Sequence, residues 1–181
     1  MLYSESMRPV QRGFTLIELL IVITILGILT TIAMGSFRNA QIRSRDAQRK
    51  SDLKQISKAL ELFYNDYEGY PSSSSGKIKA CKYKSTNPAN SGLCSWGTSQ
   101  FWDDKGTVYF RILPEDPSGF KYYYRATTNQ GYQLYAHLEN SEDSDCLGGD
   151  CESPTLPGEP PDSGDKDCNF AVTSANLTAT D

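Results

Sequence analysis

From Leu19 to Phe37 the chain carries no charge and consists mostly of Leu, Ile and Val. A run of this length and character reads as a helix long enough to cross a bilayer. Polar residues then take over without a helix breaker, since Arg38 to Glu68 contains neither Pro nor Gly. In the second half of that stretch Leu53, Ile56, Leu60, Phe63 and Tyr67 follow 3-4-3-4 spacing and share one face. Lys54, Lys58, Glu61, Asn65 and Glu68 occupy the other. Gly69 is placed to cap the helix, with Pro71 just beyond it. One helix over 14–68 would be about 80 Å long at ~1.5 Å per residue, of which the hydrocarbon core takes ~30 Å. The apolar stripe on the remainder needs a cover.

Strand signals supply one. Thr107 to Leu113, Phe120 to Ala126 and Gly131 to Leu138 are rich in Tyr, Phe and Val, and are separated by Asp116-Pro117-Ser118-Gly119 and Thr128-Asn129-Gln130-Gly131. Such short connections predict an antiparallel meander with one face on the helix, and a last short strand is expected over Asn169 to Thr173. The fold class is α+β: a long N-terminal helix, transmembrane in its first half, packed on a small antiparallel sheet.

Composition narrows the chemistry. The 181 residues allow one modest domain beside the apolar segment, and the net charge of −4 is unevenly spread. The basic run Arg38 to Arg49 reads as a solvated helix face; Asp46 dilutes it, no aromatics interleave, and no nucleic acid is expected as a partner. Glu139 to Asp167 holds ten acids against Lys166 alone. All five cysteines follow residue 80, a placement that suits an oxidising, exported compartment. Cys81 and Cys94 bracket a loop without a core of its own, and a disulfide there would contribute about 3 kcal/mol. A zinc pair is the rival reading, although neither belongs to a short C-x-x-C knuckle. Cys146 and Cys151 flank a tight turn, and one of them could tie to Cys168; the sequence leaves the connectivity open. The odd cysteine is free, paired between chains, or metal-bound. His137 is the only histidine, which leaves no Ser-His-Asp or Cys-His arrangement and argues against an enzyme.

One acid, Glu18, interrupts the first turns of the apolar run. A carboxylate at a transmembrane helix centre costs about 2.5–3.5 kcal/mol, and less near the interface, so a partner charge is expected. The contiguous run Gly13-Phe14-Thr15-Leu16-Ile17-Glu18 resembles the processing site of type IV prepilins and type II secretion pseudopilins. The resemblance implies cleavage after Gly13 by a membrane peptidase, N-methylation of Phe14, and docking of the subunit through Glu18. The physical reading runs alongside. Cutting there exposes an ammonium on Phe14 one turn from Glu18, and the helix dipole favours an anion at that end. A conventional secretory signal fits less well, because its apolar core is shorter and carries no acid.

The Leu113-Pro114…Asp116-Pro117…Gly119 run with its Tyr-rich strands resembles the head of the major pseudopilins and similar pilins. In those the loop after the third strand binds calcium, which implies Glu139, Asp143, Asp145 and Asp150 as ligands here; a solvated acidic loop is the alternative, and no cofactor is required. The resemblance divides the chain into leader (1–13), transmembrane or filament-core helix (14–37), amphipathic continuation (38–69) and head (70–181). It implies as partners other copies of the chain in a homopolymeric filament, prepilin peptidase, the membrane, an assembly platform and minor pilins. The precursor is expected in the cytoplasmic membrane, and the mature chain in an extracytoplasmic filament. The reading favoured on sequence is a type IV pilus-like subunit. The alternatives are a type II secretion major pseudopilin and a non-polymerising, membrane-anchored binding module.

Overall fold

The structure, a computed structural model, describes residues 13–149, 151–152 and 168–178. Helix α1 spans Leu16–Tyr67, one residue short of the expected end at Glu68. Residues up to Ala40 form one compact unit and Gln41 onward a second. In the first, the apolar side chains from Leu16 to Leu29 are exposed, and α1 is long and apolar enough to cross a membrane.

In the second unit the stripe read from the sequence faces inward. Leu53, Ile56, Leu60 and Phe63 are all buried. Three small sheets supply the cover: β1 (Ser73–Ser74) with β2 (Lys77–Ile78); β3 (Cys81–Tyr83), β4 (Phe101–Asp103) and β5 (Val108–Phe110); and β6 (Tyr123–Thr128), β7 (Gly131–Ala136) and β8 (Phe170–Thr173). In the last, β7 lies between two antiparallel neighbours, Tyr124 opposite Leu134 and Ala136 opposite Phe170. All six residues of β7 are buried, and Tyr132 Oη meets Ser57 Oγ of α1 at 2.7 Å. The β3–β5 sheet closes on the lower helix through aromatic rings. Phe63 lies 4.7 Å from Tyr83, 5.4 Å from Phe101 and 5.2 Å from Tyr109, centroid to centroid.

The structure corrects the expected strand pairing and the expected helix end. Val108–Phe110 does not begin a meander with the two following strands. It pairs with β4, and β8 takes the third place beside β7. The connection after Phe110 contains Pro114 and Pro117, which lack the N–H needed to continue a ladder. Nor is Gly69 the left-handed residue that ends α1: that position is Glu68, at φ 53°. Gly69 serves close approach instead, since a Cβ there would stand 3.3 Å from the Asn129 carbonyl oxygen.

Cys81 and Cys94 are bonded, as expected, with sequence separation 13. The loop doubles back so tightly that Cys81 and Gly92 exchange backbone hydrogen bonds of 3.0 and 3.1 Å. A side chain at Gly92 would meet the Cys81 carbonyl oxygen at 2.6 Å. Cys146 bonds to Cys151, and buried Cys168 is in neither disulfide.

Candidate assembly site and acidic loop

At the start of α1, Glu18 is engaged by Thr15. The Thr15 hydroxyl donates to Glu18 Oε2 at 2.7 Å, the Thr15 N–H donates to the same oxygen at 2.9 Å, and the Glu18 N–H donates back to Thr15 Oγ1 at 3.3 Å. This reciprocal pattern is a capping box, in which a Thr N-cap and a Glu three residues on satisfy helix-end donors together. Its signature in the sequence is Thr15-Leu16-Ile17-Glu18. Gly13 and Phe14, the residues of the expected cleavage, precede the helix and are exposed.

In the second unit the feature that sequence reasoning missed is a buried arginine. Arg49 is 0% exposed, although Arg38 to Arg49 was expected to be a solvated face. Arg38 and Arg43 are exposed, whereas Arg45 and Arg49 are engaged. Arg49 Nε and Nη2 donate to the two oxygens of Asp116 at 2.6 and 3.0 Å, and Nη1 donates to Asp46 Oδ1 at 2.6 Å. Glu139 Oε1 lies 2.7 Å from Nη2, and the Ser118 hydroxyl accepts from the same nitrogen. The Phe120 ring lies beneath the guanidinium at 5.5 Å, and His137 packs edge-on against Phe120 at 4.8 Å. Burial opposes the Arg49 charge, and hydrogen bonds to Asp116, Glu139 and Asp46 outweigh it, so the guanidinium is held more firmly protonated than usual. A signal for this burial existed. Counting back from Leu53 by four and then three reaches Arg49 and Asp46, on the stripe already assigned to the core.

Around this ion the acidic loop is gathered onto α1. Asp46, also buried, accepts the backbone N–H groups of Glu139 and Asn140 at 3.0 and 2.9 Å. Arg45 grips Glu139 with two hydrogen bonds of 2.8 and 2.5 Å. Lys50 Nζ donates to Asp143 Oδ1 at 2.6 Å and Asp145 Oδ2 at 2.7 Å. The loop is closed further on by Cys146–Cys151 and by Asn169, whose side chain bonds the backbone of Leu138 and Cys151. Of the four carboxylates that the resemblance assigns to calcium, Glu139, Asp143 and Asp145 each meet a cationic side chain, and Asp150 lies outside the described residues. Among the described residues, no group of three or more His, Cys, Asp or Glu side chains converges as a metal cage.

The Arg45 hydrogen bonds hold the Glu139 carboxyl at about 2 against an ordinary 4.5; partial burial opposes them, and Arg49 and Ser118 reinforce them. The folded-state value lies below the unfolded one, so the contribution is whole above about pH 4.5 and fades as pH falls toward 2. Some of the Glu139 side chain is open to water (20% exposed), which screens the effect to about 1–2 kcal/mol. Thermal midpoints recorded from neutrality down to about pH 2 should fall through this window, and Glu139→Gln should flatten the fall. A variant curve parallel to the wild type would contradict the assignment.

An acid-bearing apolar N-terminal helix that continues into an α+β head defines the pilin-like class of structural subunit. Residues 8–34 match the family described as "Prokaryotic N-terminal methylation motif", and residues 36–143 match "Type II secretion system (T2SS), protein G". With more than half of its length in the second match, the chain belongs to the protein G family of type II secretion systems. It is 32% identical over 130 residues to the type II secretion system core protein G of Pseudomonas aeruginosa, covering 71% of this chain and 84% of that protein. To the core protein G of Vibrio cholerae it is 28% identical over 121 residues, or 67% and 75% of the two chains. A type IV major pilin protein, PilA, of Myxococcus xanthus is 44% identical over only 62 residues, 34% of this chain and 28% of that one. No solved structure gives a significant match.

Proposed function

We propose that the chain is the building block of a type II secretion pseudopilus. This places the sequence's alternative reading ahead of its first choice, a pilus-like subunit. The carrying observation is that the protein G match covers 36–143, and so runs through the head as far as Asp143, whereas the pilin likeness is confined to 62 residues. On this reading the precursor sits in the cytoplasmic membrane through the apolar part of α1. Prepilin peptidase cuts after Gly13, Phe14 is methylated, and copies assemble through their helices with Glu18 meeting a neighbour's new ammonium. An assembly platform and minor subunits are the expected partners. The chain works by polymerising and catalyses nothing.

Deleting the gene from the producing cell should empty the culture medium of a defined set of exported proteins while leaving surface fibres intact. Loss of abundant surface fibres with normal secretion would reassign the chain to a pilus. Intact mass of the mature protein should show residues 1–13 gone, one methyl group added, and the hydrogen deficit of two disulfides. A chain that keeps Met1 would instead be a non-polymerising anchor.

A further inference from the structure

We infer that Lys50 is a built-in counter-cation that closes the acidic loop from Glu139 to Cys146 onto α1, in the place where the family resemblance implies a calcium ion. The donor set does not fit calcium. That ion needs six to eight oxygens at 2.3–2.6 Å, and among the described candidate ligands Glu139 has both carboxylate oxygens, and Asp143 and Asp145 one each, on a cationic side chain. Glu139 has both oxygens on guanidinium groups, Arg45 on one side and Arg49 on the other, with the Ser118 hydroxyl donating as well. Asp143 Oδ1 accepts Lys50 Nζ at 2.6 Å and the Asp145 N–H at 3.0 Å. Asp145 Oδ2 accepts the same ammonium at 2.7 Å.

The ammonium therefore stands between the two carboxylates that a metal would have to bridge, with the Phe170 ring 5.7 Å away on β8. A divalent ion entering there would face Lys50 at close range and have to expel a cation that α1 holds covalently in place, one residue from buried Arg49. The charges support the geometry. Burial alone would weaken the Lys50 ammonium, but its bonds to Asp143 and Asp145 outweigh this and raise its affinity for the proton. The backbone leaves little slack for opening the loop to recruit further ligands. The Cys151 sulfur sits 3.4 Å from the Asp143 carbonyl oxygen, and the Leu147 N–H donates to the Asn169 carbonyl at 2.8 Å. This loop is therefore held shut by the chain's own charge, whatever the calcium level outside the cell. The inference concerns the head alone and stands whether the filament is a pseudopilus or a pilus.

The test uses the full mature chain in detergent, with calcium chloride as the probe. Titration calorimetry should show no binding heat, and the thermal midpoint should be the same in millimolar calcium as in EDTA. Lys50→Met should lower the midpoint by about 3–6 °C and speed protease cleavage within residues 139–152, while Lys50→Arg, which keeps the charge, should recover most of both. A wild-type midpoint that drops on chelation, or a Lys50→Met chain whose midpoint and cleavage rate match wild type, would overturn the inference. The wild-type calcium arm decides the question even if Lys50→Met does not fold.

Discussion

Replacing Arg49 with methionine should lower the stability of the head by about 3–5 kcal/mol, the range seen when one partner of a buried ion pair is removed. For a folded unit of this size that means a thermal midpoint about 10–15 °C lower. The magnitude follows from what the substitution leaves behind. Asp46 and Asp116 are buried, and both lose their cation. Asp116 loses two hydrogen bonds, Asp46 loses one, and Glu139 loses one of its two arginines. Methionine fills much of the volume and keeps the contact with Phe120, so lost packing is the smaller part. Arg49→Lys should fall between wild type and the methionine variant, because a single ammonium cannot reproduce the planar fork that meets both Asp116 oxygens. A loss below about 1 kcal/mol in the methionine variant would mean that the cluster is not what fastens the Asp116 turn and the Glu139 loop to α1.

The legible part of this molecule was the part written in periodicity. Leu53, Ile56, Leu60 and Phe63 announced the buried face of α1 through spacing alone, and the same spacing run backward reaches Arg49 and Asp46. Charge hid them, because an arginine in a basic run resembles a solvated one until its acids are known. Those acids, Asp116 and Glu139, lie 67 and 90 positions further along, and nothing local tells that they return. The strands were found by their Tyr and Phe content, but their partners were not. Val108–Phe110 reads like the first strand of a meander, and only the prolines at 114 and 117 hint that the ladder breaks there. The two-residue strands β1 and β2 carry no periodic signal. At the helix end, Gly69 looked like the left-handed residue, yet the turn begins at Glu68 and the glycine is needed for contact with Asn129. Spacing left Cys146, Cys151 and Cys168 interchangeable, and the pairing of the first two is a matter of tertiary position.

Substituting Glu18 with leucine should leave membrane insertion intact, since it removes a charge from an apolar helix, and yet keep the subunit out of filaments. Co-expressed with wild type, a tagged Glu18→Leu chain should be depleted from purified filaments about 10- to 100-fold relative to its share in the membrane. The physical reason is an exchange of partners. In the single chain Glu18 leans on Thr15, whose hydroxyl and N–H donate at 2.7 and 2.9 Å. Both donors are neutral groups, so these bonds, although assisted by the carboxylate's charge, set no opposite charge beside it. If processing frees the Phe14 amine, a neighbouring subunit offers an ammonium in a medium of low dielectric, where a charge pair gains far more than in water. A preference of about 1.4 kcal/mol per tenfold means that even 2–3 kcal/mol of such pairing governs incorporation. Thr15→Val is the informative companion. It removes the hydroxyl donor of the capping box but leaves the carboxylate, so it should be incorporated far better than Glu18→Leu. Filaments that contain Glu18→Leu and wild-type chains in the ratio found in the membrane would end the proposal that this acid directs assembly.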